Sequence, residues 1–277
     1  MKKPRVFVLE GYLIATARDT LQAFEAEYEI VMVTDIFTPI GDLVIVKIKK
    51  AGNALIAGPS VIFDMEKTIE ILNSFCPDKI FIDGAFFRHS LAKISEATIL
   101  VVGANFNSEI DKVVLDAQLT FRKLTLKYPA ENLDFLIDKK HVFLISEQNK
   151  FVDLGFDSVI GNTVKIFNWK NKNFRFLYLP KALTNDFLQK LVAFRKEFHF
   201  DILLDSPTNI QLSLENLNNL FKLENQIYVL KPVNLVAVCY NPVSPQGYEF
   251  SNSVFKEKLQ HALDQEVFNV SEDKPNE

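Results

Sequence analysis

The sequence predicts an α/β protein: a mostly parallel sheet with flanking helices, followed by a second α/β half that includes a β-hairpin. Two observations carry this expectation. Short apolar runs of strand length alternate with longer segments whose apolar residues recur at helical spacing. Strands separated by helices imply crossover connections and hence a parallel sheet. The apolar runs also stop on small or acidic residues, at Glu10-Gly11, Thr34-Asp35, Asp83-Gly84 and Gly103. The chain's 277 residues suit two domains, read as 1–128 and 129–270, with a polar tail over 271–277.

In the first half, Arg5–Leu9 is a short strand. Leu13–Phe24 has helical spacing, with Arg18, Asp19 and Gln22 between its apolar positions. Glu29–Thr34 is a β-branched run suited to a strand buried on both faces. Leu43–Lys49 is another strand. Gly58-Pro59-Ser60 opens a helix over 61–74, with Pro59 near its first turn. Lys79–Ile82 and Ala97–Val102 are strands. Ser108 is placed to cap a helix reaching Leu126, with Glu109 and Asp111 favourable to its dipole.

The second half opens near Tyr128-Pro129. Val164–Leu179 reads as two strands around an Asn171-Lys172-Asn173 turn. Leu183–Phe194 is helical. Asp201–Leu204 is a strand running into Asp205-Ser206, either of which can cap the next segment. Ile227–Leu230 and Val233–Cys239 are strands, Phe255–Leu263 is an amphipathic helix, and Val267–Val270 is a last strand.

Composition excludes several function classes. The net charge is −4, with 25 Lys and six Arg that gather on no basic stretch, so nucleic acid is not an expected partner. No apolar run approaches the ~20 residues of a membrane span, and Glu10 interrupts the first run before it reaches signal-peptide length. A cytoplasmic protein is expected, with Cys76 and Cys239 as reduced, mostly buried thiols. The nine glycines are spaced so that neither GxGxxG nor GxxxxGK[ST] occurs, which removes the dinucleotide fingerprint and the complete P-loop. There is no GxSxG elbow and no HExxH. His89, His141, His199 and His261 are scattered, with His199 expected in a core or interface.

Four local signals remain. KIFIDGAFFR (Lys79–Arg88) delivers Asp83 past a strand end, where nucleotide-hydrolysing folds hold a Mg²⁺-coordinating acid, and Arg88 could balance a phosphate. The plainer alternative is a turn after a strand. Gly58 and Ser60 at a helix start could hold an anion through free N–H groups and the dipole, or form an ordinary cap. Gly103 ends a strand with a small residue, leaving room for a ligand or a close backbone contact. Asn241, Ser244 and Tyr248 stand on a Pro-rich loop after another strand, a suitable binding loop or a structural turn.

The stretches KPRVFVLEGYLIATA (Lys3–Ala17), TPIGDLVIVK, AGPS (Ala57–Ser60), IDGAFFR (Ile82–Arg88), ATILVVGA (Ala97–Ala104) and LKPVNLVAVCYNPVSPQGYEF (Leu230–Phe250) together resemble the family of the lysine 5,6-aminomutase reactivase small subunit. The resemblance spans most of the chain. It implies a nucleotide-hydrolase-like core, a mismatch-repair-like ATPase subunit as partner, and an adenosylcobalamin-dependent aminomutase as the enzyme serviced. Longer proteins of this kind carry a P-loop segment before the KPR block, where the present sequence starts, so the core is expected to be degenerate. Mg-nucleotide would be held residually, or completed by a partner, and adenosylcobalamin would be met only through the aminomutase. Where the family has a polar residue before the arginine, this sequence has Phe86-Phe87, which suits a contact surface.

The leading expectation is therefore a non-catalytic accessory subunit with Phe86 and Phe87 at an interface. A second is a small-molecule or phosphate-ester-binding α/β enzyme using Glu10, Asp35 and Asp83 with Arg88. A third is a structural or oligomerisation module with no ligand.

Overall fold

The strands at the start of the chain pair antiparallel with one another, two of them through a tight turn. A computed structural model describes residues 5–83, 94–148, 150–169, 174–193, 200–223 and 226–269. It divides by internal contacts into two units, Met1–Leu91 and Ala92–Glu277. No helix among the described residues is long and apolar enough to cross a membrane.

The first unit contains β1 (Val6–Val8), β2 (Leu13–Ala17), β3 (Glu27–Thr38), β4 (Gly41–Lys50), β5 (Gly52–Ala54) and α1 (Ile62–Asn73). One antiparallel sheet has the order β2-β4-β3, and β1 pairs antiparallel with β5. Thr38 and Gly41 close the β3–β4 hairpin, and Gly41 takes a φ of +97° that favours glycine. At β5, a Cβ on Gly52 would lie 2.7 Å from the Ala26 nitrogen, so only glycine permits that approach. Val44, Val46 and Ile48 of β4 pack with Val8, Ile14 and Leu21.

Four expectations for this unit are corrected. Leu13–Phe24 is not one helix but β2 followed by a 3-10 turn over Arg18–Ala23. Its buried threonines decide this: the Ala57 N–H donates to the Thr16 hydroxyl at 3.0 Å, and Thr20 donates to the Ala17 carbonyl at 2.7 Å. β3 is a sheet edge exposed over most of its length, not a strand buried on both faces; β4 takes the central place instead. Lys79–Ile82 forms no strand, and Phe81 is 87 % exposed. α1 starts at Ile62 with Val61 at its cap, so Pro59 and Ser60 precede the helix.

The second unit runs β6 (Thr98–Gly103), α2 (Ile110–Leu124), β7 (Phe143–Ile145), β8 (Phe151–Asp153), α3 (Thr163–Phe167), β9 (Phe176–Leu179), β10 (Leu183–Thr184), α4 (Asn185–Ala193), β11 (Asp201–Leu204), β12 (Ile210–Gln211), α5 (Leu214–Leu220), β13 (Ile227–Val229), β14 (Leu235–Asn241) and α6 (Asn252–Leu263). A five-stranded sheet has the order β13-β11-β9-β7-β8, with β13, β11 and β9 parallel and the β7–β8 hairpin antiparallel. β6 pairs parallel with β14, and β10 with β12. The whole is thus a mixed α/β fold of small sheets.

Both faces of the central strands of this sheet are covered, which is why they read as unbroken apolar runs. Leu177, Ile202 and Leu204 pack under Phe187, Leu191 and Leu220 on one face. Phe176, Tyr178 and Leu203 meet Leu133 and Leu136 on the other. Full burial of each such side chain contributes about 1.5–3 kcal/mol. A separate cluster lies between β6–β14 and helices α2 and α6, through Val102, Val113, Val238, Phe255 and Leu259. α2 sends Leu119 into the first core and Val113 into this one, so it joins the two layers.

Here too the structure differs from expectation. Val164 begins no hairpin: Thr163–Phe167 is α3, and the hairpin of this unit is β7–β8. Of the expected strand Val267–Val270, the described residues 267–269 contribute a bridge between Phe268 and Cys239. Ser108 does not cap α2; the Asn107 side-chain oxygen accepts the Glu109 N–H at 2.9 Å instead. Cys239 is buried, but Cys76 is exposed, on a backbone of φ +52° just past α1. The 171–173 turn, His199, Val270 and the 271–277 tail lie outside the described residues.

Candidate functional site

Of the residues expected around Asp83, only Gly58, Ser60 and Asp83 itself lie among the described residues. Gly58 and Ser60 are exposed ahead of α1, and Asp64 in the helix's first turn opposes an anion there. A Cβ on Gly58 would meet only the Met65 methyl at 3.7 Å, an ordinary contact, so no tight cradle demands glycine. Asp83 is exposed on chain without regular structure rather than at a strand end. Arg88, Phe86, Phe87 and His89 lie outside the described residues. Among the described residues no three His, Cys, Asp or Glu side chains group to hold a metal ion. Asp35 lies within β3, not at its end, and pairs with Lys67 at 2.6 Å, which holds its carboxyl below the usual range. Glu10 is exposed after β1.

The second set does converge. The β6–β14 register places Gly103 beside Asn241, at the carboxyl ends of two parallel strands, the edge at which α/β sheets bind ligands. The Asn105 side-chain oxygen lies close against Gly103, where a Cβ would displace it. Tyr248 donates its hydroxyl proton to the Ala104 carbonyl at 2.7 Å, tying the Pro-rich loop to β6. Asn241 accepts the Val243 N–H at 3.0 Å, and the buried Ser244 hydroxyl accepts that of Gln246 at 3.2 Å. Phe250 stacks edge-on against Phe255 of α6. The loop's polar atoms are thus used in holding its own shape.

A third assembly stands at the carboxyl edge of the five-stranded sheet. β11 ends into Asp205 and β13 into Leu230-Lys231; the Lys231 N–H donates to the Asp205 carbonyl at 2.8 Å, continuing the pairing by one residue. The Lys231 ammonium then lies 3.3 Å from the Asp205 carboxylate, whose side chain is 10 % exposed, and 3.4 Å from Asp138. Burial alone would lower the Lys231 pKa, but Asp205 and Asp138 outweigh it and raise it. Burial, then the charges of Asp205 and Asp138, push the Tyr178 phenol far above its ordinary value. Tyr178 remains a neutral donor, 3.4 Å from the Lys139 carbonyl. Ser206 caps the 3-10 turn over Pro207–Asn209, accepting from the Thr208 N–H. Along the same edge His141 pairs with Asp153 at 3.0 Å, and Lys181 with Asp157. A lysine held cationic between two carboxylates is a clamp across strand ends, not an activated amine.

Part of this assembly is marked in the sequence by a signal that the motifs above do not use. The strand-end rule, applied to DILL-Asp205 and YVL-Lys231, points to both residues; Asp138 joins them only through tertiary contact. A cleft of ≈ 300 Å³ where α2 and α5 end and β13 begins is lined by Arg122, Leu126, Phe221 and Ile227, with the Arg122 guanidinium 4.3 Å from the Phe221 ring centre.

Fold and sites together define a mixed α/β protein whose polar groups gather at the carboxyl ends of parallel strands and are largely spent on one another. No family model, curated protein or solved structure matches the chain.

Proposed function

We propose that the chain is a non-catalytic accessory subunit that acts through a protein partner in the cytoplasm. It would resemble the small subunit of the lysine 5,6-aminomutase reactivase, working beside a mismatch-repair-like ATPase subunit on an adenosylcobalamin-dependent aminomutase. The observation that supports this is the apolar surface of the first unit: Phe7, Leu9 and Tyr12 around β1, and Val61 and Phe63 at the start of α1, are all exposed. Large apolar side chains left exposed are suited to burial against a protein partner. On this reading the degenerate nucleotide-hydrolase-like core belongs to residues 1–128. Nucleotide is held by the ATPase partner and adenosylcobalamin by the aminomutase.

The test is reconstitution. The chain, such an ATPase subunit and an inactivated aminomutase are combined with ATP and fresh cofactor. Co-elution with the ATPase and recovery of aminomutase activity only when all parts are present is the expected result. Recovery without the chain, or no co-elution, overturns the reading. Phe63→Asp, at a 70 % exposed position, is expected to weaken co-elution at least about tenfold, a loss of ~1.4 kcal/mol.

A further inference from the structure

We draw no further inference here: the strongest candidate, the apolar outer face of the parallel β6–β14 pair, where Ile99 and Val101 stand exposed on the side away from α2 and α6, carries nothing because nothing in the structure shows what covers it.

Discussion

β3 and β9 are built from the same kind of residue and end in opposite surroundings. The EIVMV run of β3 is exposed, whereas all four residues of β9, Phe-Leu-Tyr-Leu, are buried. The difference lies in their neighbours. β9 has a strand on each side, β11 and β7, and an apolar layer on each face. β3 has only β4 beside it. A β-branched or aromatic run states that a segment will be a strand; how many of its four sides are covered depends on the other elements that reach it.

Three substitutions break or sharpen this contrast. The largest effect is expected at Phe176→Ala, which empties a fully buried site in β9 and should cost about 3–5 kcal/mol, read as a lower denaturation midpoint of the second unit at unchanged slope. An intermediate effect is expected from Lys231→Ala, which takes the cation from the buried Asp205 carboxylate, at about 1–3 kcal/mol. The pH dependence has a definite sign. Folding raises the Lys231 pKa above its ordinary 10.5, so its contribution is full below 10.5 and is lost as pH rises through the higher folded value. The parent should therefore lose stability above pH 10.5 more steeply than Lys231→Ala; parallel curves would show that the clamp contributes nothing. The smallest effect is at Phe37→Ala in β3, within about 0.5 kcal/mol. A loss comparable to that at Phe176 would mean that β3 is covered after all.

Legibility in the sequence divides the same way. β11 is legible residue for residue, and α6, β4 and β6 to within a few, because each has a clear period and a clear stop. LIATARDTLQAF imitates a helix because a strand followed by a 3-10 turn can reproduce a spacing of 3.6; the hydrogen bond from the Ala57 N–H to Thr16 that helps settle it joins residues 41 apart. KIFI has the composition of a strand and none of its pairing. Of the site residues, Gly103 and Asn241 are legible as strand ends, and the structure seats them side by side. The Asp205–Lys231–Asp138 clamp is not legible as a unit, because its members are far apart in sequence and ordinary in type.

By itself the sequence determined the α/β class of the fold, the lack of a GxGxxG or GxxxxGK[ST] motif, and the positions of many strands and helices. These rest on local period, turn chemistry and residue spacing, which need no distant partner. Only the tertiary structure decided that the first sheet is antiparallel, that β3 lies at its edge while β9 lies at the centre of another sheet, and which carboxylates share a lysine. Pairing partners and burial come from contacts between segments far apart in the chain, and two runs of the same composition can meet different neighbours.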